Sequence, residues 1–285
     1  MNIPTLGQLI QVTKTASTPI KDYFRQPKKT EIKKDGTIVT IVDMMVHEYL
    51  MSWVKRLDSI GYIGEEGNDF NETDEYIIYV DPLDGTSAYN RGQASATTIV
   101  TLMEKRADNL WYPIKAIIHD PVGNWTWVGE ENNPTLVYIP EGKNLGWHEA
   151  RVRYSDGPSK VTVSTWHNAP YNLEKVEEQV LTRRDEFRQH QYGGIGLVGG
   201  LVTSGERDAV MFASASRSAV EAVAMWLDVI GAGGIATNIF GEKLEGCQLS
   251  MSGDKADFII PKGIMLSSSQ VLTNKLANIS LSVNS

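Results

Sequence analysis

The sequence predicts a layered fold of sheets and helices, in which an antiparallel α+β first half is followed by an α/β second half. Residues 76–80, YIIYV, form an apolar run rich in β-formers, which is typical of a strand covered on both faces. Later runs are separated by the turn-forming segments RADN and PVGN, and this pattern indicates antiparallel strands. Beyond residue 160, strand-like and helix-like segments alternate, which favours an α/β arrangement.

The composition indicates an acidic globular protein. Its 285 residues have room for two domains, predicted as 1–145 and 146–285 because residues 140–160 mix turn formers with charge. Acidic residues outnumber basic ones by 35 to 27, which disfavours nucleic-acid polymers and anionic membranes as partners. The single cysteine, Cys247, excludes an internal disulfide and a thiolate metal site. With no signal-peptide pattern at the N-terminus, these features predict a cytoplasmic protein.

Apolar residues recur at helical spacing twice before the first strand. Residues 6–24 predict a first helix, kinked at Pro19, and residues 46–57 predict a second. The basic stretch 25–34 between them is interpreted as a solvated loop. Further strands are predicted from ATTIVTLMEK, WYPIKAIIHD and NWTWVGE in the first half, and from VTVST and DAVMFA in the second.

The second half also contains two predicted helices, one in NLEKVEEQVLTRRDEF and one running through Trp226. Residues 219–241 are hydrophobic enough to resemble a membrane span. However, they include Glu221, Asp228 and several glycines, so we interpret them as a buried element.

Four carboxylates are concentrated around the end of the first predicted strand. The motif GEE contributes Glu65 and Glu66, and VDPLDGTS contributes Asp81 and Asp84. Oxygen-rich sites of this kind suit Mg²⁺, a hard cation. The sequence therefore predicts a magnesium site at this strand end.

The residues around the two aspartates fit the same chemistry. Pro82 favours extended geometry at Asp81, and the Leu83 carbonyl at the following turn has no ladder partner and is free to face an ion. Gly85 and Thr86 are predicted to open a short helix, whose exposed N–H groups would form an anion site beside the metals.

Other interpretations of these motifs fail on spacing or context. An EF-hand needs an oxygen ligand where Leu83 stands, and aspartyl-phosphate phosphatases need two acids two residues apart, not three. A cysteine phosphatase needs Arg where Gly253 follows Cys247. A simple polar turn would explain any one of these residues, but it does not explain why the motifs occur together. GAGGIA at 231–236 satisfies a dinucleotide-binding pattern, but the helical residues before it argue against a nicotinamide site.

Together these segments resemble the inositol monophosphatase superfamily of Mg²⁺-dependent, lithium-sensitive phosphomonoesterases. That superfamily includes fructose-1,6-bisphosphatases and 3′(2′),5′-bisphosphate nucleotidases. The resemblance rests on GEE, DPLDGTSAYN, WLDVIGAGGIATNIFG and the upstream KKDGTIVTIVD, in the family's order from Lys33 to about Gly241. It implies a layered αβαβα sandwich of the sugar phosphatase type and a homodimer.

The resemblance also implies two or three Mg²⁺ ions and gives each ligand a position in this sequence. Glu65, Asp81 and the Leu83 carbonyl would hold the first ion, with Glu65 also near a weaker third site. Asp81, Asp84 and Asp228 would hold the second. From the residues alone, Asp228 could instead be a helix cap, although a buried carboxylate is costly unless a cation is present.

Catalytic roles follow from the same resemblance. Glu66 and the pair Asp43 with Thr86 would orient or deprotonate the attacking water, and the backbone of Gly85 and Thr86 would bind phosphate. From the residues alone, Asp43 could simply complete a capping box with Thr40 at the start of the second helix.

Four further residues are assigned to the surroundings of the site. Lys33 would lie on a mobile loop over the third metal. Glu221, together with Gly193 and Gly194, would contact the substrate.

The implied function is hydrolysis of a small sugar or inositol phosphate by metal-activated water. A bisphosphate nucleotidase or a fructose-1,6-bisphosphatase is the alternative within the family. A relative that binds phosphate ligands without turnover is the alternative from another class, since Asn238, Phe240 and the pair Gly193 and Gly194 depart from the family's pattern.

Overall fold

The structure is a computed structural model, and it describes residues 3–32, 38–154, 157–164, 170–189, 193–212 and 219–285. Within these residues the chain forms two large sheets, two strand pairs and a set of helices. The helices are α1 (Leu6–Ala16), α2 (Thr18–Asp22), α3 (Ile41–Val54), α4 (Thr86–Asn90), α5 (Leu173–Thr182), α6 (Ile195–Thr203), α7 (Val220–Gly231) and α8 (Gln270–Asn284).

The first half of the chain builds an eight-stranded sheet, preceded by the antiparallel pair β1 (Thr30–Ile32) and β2 (Ile38–Thr40). Its strands are β3 (Gly61–Gly64), β4 (Gly67–Asp69), β5 (Tyr76–Asp84), β6 (Thr97–Lys105), β7 (Trp111–Asp120), β8 (Trp125–Glu130), β9 (Leu136–Ile139) and β10 (Gly146–Glu149). They lie in the order β10-β9-β8-β7-β6-β5-β3-β4. All neighbours are antiparallel except β3 and β5, which are parallel.

The second half builds a mixed five-stranded sheet in the order β12-β11-β13-β17-β14. Its strands are β11 (Ser159–Ser164), β12 (Phe187–Gln189), β13 (Ala209–Phe212), β14 (Ile235–Thr237) and β17 (Ile264–Ser267). A separate antiparallel pair consists of β15 (Gln248–Ser252) and β16 (Lys255–Ile259).

The elements stack in five layers. Helices α1 and α3 cover one face of the eight-stranded sheet, and α6 and α7 lie between its other face and the five-stranded sheet. Helices α5 and α8 cover the outer face of the five-stranded sheet. This arrangement confirms the predicted αβαβα sandwich.

Residues 76–80 of strand β5 are apolar because both faces of the strand are covered. Ile78 and Val80 pack with α3, whereas Ile77 and Tyr79 face the cluster that contains α7. Successive side chains of a strand point to opposite faces, so an uninterrupted apolar run is what this position requires. The strand runs past the predicted residues 76–80 and carries Asp81 and Asp84 at its end.

Two boundaries differ from the sequence-based expectation. The first helix is not kinked at Pro19 but ends at Ala16, and Pro19 lies in the first turn of α2, where its missing N–H removes no helical bond. The eight-stranded sheet extends to Glu149, so the boundary predicted after residue 145 falls inside the sheet.

Helix α7 is the buried element predicted within residues 219–241. No helix in the described part of the chain is long and apolar enough to cross a membrane. The GAGGIA segment connects the end of α7 to β14, whereas a dinucleotide fingerprint connects a strand to a helix. The order of elements therefore agrees with the rejection of a nicotinamide site.

Candidate metal centre

Asp81 and Asp84 lie together where β5 stops pairing regularly with β6. The register between the strands shifts from Asp81 to Asp84, and Pro82, which has no N–H to donate, lies in this irregular stretch. The N–H of Leu83 donates to Asp81 Oδ1 at 2.9 Å. Both aspartates are buried, with exposures of 3% and 5%. The local chain geometry therefore holds two carboxylates inside the protein.

The Asp84 carboxylate also caps helix α6. The N–H groups of Ile195 and Gly196 donate to its Oδ1 at 3.1 Å and its Oδ2 at 2.9 Å, and the Thr97 hydroxyl donates to Oδ2 at 2.9 Å. Gly194, the N-cap residue of α6, has no side chain to do this. Asp84 thus satisfies the unpaired donors of the helix terminus and ties the first sheet to the helical layer between the sheets.

Glycines allow α6 to approach this strand end closely. Gly85, the N-cap of α4 as predicted, has φ +80°, a conformation that favours glycine. A Cβ atom on Gly85 would lie 2.9 Å from Gly194 Cα, and one on Gly194 would lie 2.6 Å from Asp84 Oδ2. The predicted substrate residues Gly193 and Gly194 therefore lie at the centre, where the structure shows them in close packing.

Glu221 supplies the third carboxylate of the centre. It lies in the first turn of α7, and one of its oxygens is within 4.8 Å of an oxygen from each of Asp81 and Asp84. Its Oε2 atom is buried and accepts no hydrogen bond from the described residues. Three converging carboxylates with an unpaired buried oxygen match the donor set that Mg²⁺ prefers.

The electrostatics of this group show why a cation would be favourable. Burial, followed by the nearby charges of Glu65, Glu221 and Asp84, raises the pKa of Asp81 well above its usual value. Burial, with Asp84 as the largest charge effect, likewise raises the pKa of Glu221 well above its usual value. Burial raises the pKa of Asp84 to about 6, against the lowering effect of its hydrogen-bond donors. A divalent cation would offset this mutual repulsion.

Glu65 and Glu66 form the turn between β3 and β4, next to the end of β5. The Glu65 N–H donates to the Val80 carbonyl at 3.2 Å, and the Glu65 charge is among those that raise the pKa of Asp81. The Glu66 charge, after burial, contributes to raising the pKa of Tyr62. Parallel pairing of β3 and β5 thus brings the GEE and DPLDGT motifs to the same edge.

Asp43 makes both of the contacts considered from sequence, one with Thr40 and one with Thr86. Its Oδ2 accepts from the Thr40 N–H at 2.7 Å and the Thr40 hydroxyl at 2.6 Å, which forms the capping box of α3. Its Oδ1 lies 2.9 Å from the Thr86 hydroxyl, which is also 2.8 Å from the Leu83 carbonyl oxygen. Burial raises the pKa of Asp43. The cap and the Asp43–Thr86 pair therefore coexist on one carboxylate.

The structure corrects the assignment of Asp228. It lies seven residues after Glu221 on α7, which is about 10 Å along a helix axis. Its carboxylate faces Gly129 of β8, where a Cβ atom would lie only 2.4 Å from Oδ1. Burial alone raises the pKa of Asp228 well above its usual value, with no contribution from the other carboxylates. Asp228 is thus separated from the centre, and Glu221 occupies the place expected for it.

Asp228 is not a helix cap either, because it lies inside α7. It is completely buried, and neither of its carboxyl oxygens accepts a hydrogen bond within the described ranges. Lys33, predicted on a loop over a third metal, lies outside the described residues. Asn238 uses its side chain locally, to bond the N–H groups of Phe240 and Glu242.

Comparison with known proteins identifies a family and individual relatives for this chain. Residues 4–282 match the family model described as the Inositol monophosphatase family. The chloroplastic bifunctional phosphatase IMPL2 of Arabidopsis thaliana is 25% identical over 228 residues, which cover 79% of this chain and 61% of that protein. The Haemophilus influenzae 3′(2′),5′-bisphosphate nucleotidase CysQ is 24% identical over 132 residues, 45% of this chain and 47% of that protein. The chain thus spans less than two thirds of the length of these two relatives.

Solved structures show the same fold. The Thermotoga maritima IMPase superposes with a TM-score of 0.74 at 17% sequence identity, and the match covers 98% of this chain and 97% of that one. The match therefore covers nearly the full length of both chains.

Proposed function

Since this chain belongs to the inositol monophosphatase family, we propose that it is a Mg²⁺-dependent phosphomonoesterase acting on a small sugar or inositol phosphate. The observation that supports the proposal best is the convergence of Asp81, Asp84 and Glu221 within 4.8 Å of one another. Two buried acids and one half-buried acid this close together are unfavourable by themselves, and a divalent cation makes the arrangement favourable.

The oxygen ligands at the end of β5 and the start of α7 suit magnesium ions. Asp81, Asp84 and Glu221 would hold one ion, and Glu65 with the Leu83 carbonyl would extend the ligand set towards a second. Bound Mg²⁺ in such sites acts as a Lewis acid towards phosphoryl oxygens and lowers the pKa of water.

The pair Asp43 and Thr86 would orient the attacking water. A threonine hydroxyl has one proton and two lone pairs, so when it donates to Asp43 or to the Leu83 carbonyl, its oxygen remains able to accept a hydrogen bond from the attacking water. Asp43 is itself fixed by Thr40, which limits the geometries available to the pair. Glu66, on the turn beside β5, is the second proposed proton acceptor.

The phosphate would lie next to Gly85 and Thr86, at the start of α4, where the chain passes from the acidic end of β5 into the helix. The residues of the centre would contact only the metal and the phosphate, so they favour phosphomonoesters as a class without choosing the alcohol. The nucleotidase named among the relatives makes adenosine 3′,5′-bisphosphate the second candidate substrate.

The test is phosphate release from inositol 1-phosphate, fructose 1,6-bisphosphate and adenosine 3′,5′-bisphosphate, with Mg²⁺ and with EDTA. Asp84→Asn should lower Mg²⁺-dependent release by at least about 100-fold, a loss comparable to removal of other charge-stabilising groups. Asp74→Asn is the matched control, because Asp74 is also buried but lies before the opposite end of β5, where it accepts from the Asn71 N–H. Mg²⁺-independent release, or full activity in Asp84→Asn, would contradict the proposal.

A further inference from the structure

The hydroxyl group of Tyr79 connects three elements around the metal centre. It donates to the Asp257 carboxylate of β16 and accepts from the N–H of Ala219 at 2.9 Å. Tyr79 itself is on β5 and is only 1% exposed. Because the single hydroxyl proton is directed to Asp257, the oxygen lone pairs are oriented towards Ala219.

The two partners in the Ala219–Tyr79 hydrogen bond each lie two positions before a carboxylate of the centre. Tyr79 precedes Asp81 on β5, and because side chains alternate along a strand, both lie on the same face of the sheet. Ala219 is the N-cap residue of α7 and precedes Glu221 in the first turn. One hydrogen bond therefore fixes the start of the helix that carries Glu221 relative to the strand that carries Asp81.

Among the described residues, helix α7 receives no cap from the side chain of its own N-cap residue. Ala219 has no side chain that can accept a hydrogen bond, and α7 shows no side-chain cap. A helix start without a cap frays readily, because its first N–H groups lack intrahelical partners. The Tyr79 hydroxyl supplies the missing acceptor from the neighbouring sheet.

The orientation of Tyr79 is determined in turn by its surroundings. Asp257 Oδ1 also accepts from the Phe258 N–H at 2.8 Å, and the rings of Phe258 and Tyr79 meet edge to face with centroids 5.0 Å apart. The Ala256 N–H donates to the Asn68 side chain of β4 at 3.2 Å. Strand β16 is thus attached to the first sheet and holds the acceptor for Tyr79.

We propose that Tyr79, held by Asp257, is a positioning residue that sets the distance of Glu221 from Asp81 and thereby the affinity of the centre for its divalent cation. This inference rests on the proposed function, because it requires the three carboxylates to bind a metal. In this role Tyr79 does not contact the substrate.

The test is calorimetric titration of Mg²⁺ into the metal-free full chain, together with the Mg²⁺ dependence of phosphate release. Tyr79→Phe keeps the ring that packs on Phe258 and removes only the hydroxyl. We expect its dissociation constant for Mg²⁺ to rise about tenfold, in the range found when groups that orient metal ligands are removed. At saturating Mg²⁺, kcat should stay within about twofold of wild type, a separation that general loss of structure would not produce.

Tyr76→Phe is the matched control. Tyr76 lies on the same strand, and its hydroxyl donates to Glu104 at 3.0 Å, away from the centre. It should bind Mg²⁺ like the wild type. Equal Mg²⁺ affinity of Tyr79→Phe and wild type would overturn the inference, and so would an equal loss in Tyr76→Phe. If the wild type neither binds Mg²⁺ nor releases phosphate, the proposed function fails and this inference fails with it.

A second pair of variants tests the same link in case Tyr79→Phe folds poorly. Asp257→Asn and Asp257→Ala both remove a negative charge near Glu221, but only the alanine removes the acceptor for the Tyr79 proton. Asp257→Ala should therefore bind Mg²⁺ several-fold more weakly than Asp257→Asn. Equal affinities would show that Asp257 acts by its charge alone and would contradict the positioning role.

Discussion

Glu221 and Asp228 lie on the same face of α7, about two turns apart, and only Glu221 reaches the carboxylates at the end of β5. Both are acids in a largely apolar helix, so composition alone does not distinguish them. Their environments distinguish the two acids. Glu221 faces other carboxylates at the edge of the sheet, whereas Asp228 faces Gly129 from the last turn of the helix.

This difference predicts opposite outcomes for two conservative changes. Glu221→Gln should lower Mg²⁺ affinity and phosphate release by about 100-fold, because it removes a charged oxygen ligand. Asp228→Asn should leave both within about twofold of wild type. Calorimetric Mg²⁺ titration and phosphate release measure the two quantities separately. Loss of Mg²⁺ binding in Asp228→Asn, with Glu221→Gln unaffected, would restore the assignment made from sequence.

The sequence places Asp81 and Asp84 together because they are neighbours in one short motif at the end of β5. The contact of Asp43 with Thr86 joins two motifs that are 43 positions apart, and it was expected only from the resemblance to the family. The third carboxylate comes from α7, and its position depends on where that helix begins. The Trp226-Leu227-Asp228 segment resembles the family signature, but α7 starts at Val220 and places Glu221 at the sheet edge instead.

The sequence also does not predict hydrogen bonds between elements that are far apart in the chain. Nothing in the pattern of YIIYV distinguishes Tyr79 from an ordinary core aromatic residue. Its hydroxyl acquires partners only because β16 and the start of α7 fold against β5, from positions 178 and 140 residues away, respectively. Likewise, the capping of α6 by Asp84 joins residues more than 100 positions apart.

The buried carboxyl of Asp228 predicts a pH-dependent loss of stability. Because its pKa is raised in the folded protein, the folded state binds this proton more tightly than the unfolded state does. Its contribution to the free energy of unfolding is therefore fully present below about pH 4, where the unfolded carboxyl titrates, and is lost as the pH rises towards the folded pKa.

Asp228→Asn cannot ionise and should not show this loss. We expect its free energy of unfolding, relative to wild type, to increase by at least about 1 kcal/mol between pH 4 and pH 8, or about 2–4 °C in Tm. Denaturant and thermal unfolding in EDTA would measure the difference, since EDTA keeps the metal centre equally empty in both proteins. A difference that is constant with pH would show that Asp228 ionises at the same pH whether folded or unfolded.

The two hydrogen-bonded functions of Asp43 can be separated by changing its two threonine partners. Thr40→Val removes the hydroxyl that caps α3 and should cost about 0.5–2 kcal/mol of stability, while the Thr40 N–H still holds Asp43. Thr86→Val removes the proposed water-orienting hydroxyl and should lower kcat about 100-fold with a smaller stability change. Urea unfolding and phosphate release would give the two effects. Equal kcat values in the two variants would remove Thr86 from the catalytic pair.

The close approach of Gly85 to Gly194 can be separated from its backbone conformation. Gly85 has φ +80° and Gly142 has φ +84°, so alanine at either position should cost about 1–2 kcal/mol in backbone strain. A Cβ atom on Gly142 meets nothing within 4 Å, whereas one on Gly85 lies 2.9 Å from the backbone of Gly194. Gly85→Ala must also push α6 away from Asp84, because backbone atoms cannot yield as a flexible side chain can.

We therefore expect Gly85→Ala to lose more stability than Gly142→Ala and, unlike it, to lose Mg²⁺ affinity. Displacement of α6 removes N–H donors from Asp84, and the Asp84 carboxylate is then no longer held in the direction that serves the centre. Thermal unfolding with and without Mg²⁺ would measure both effects, since a bound ion raises Tm only if the centre is intact. The same Mg²⁺-induced Tm increase in both variants would mean that the metal centre tolerates a displaced α6.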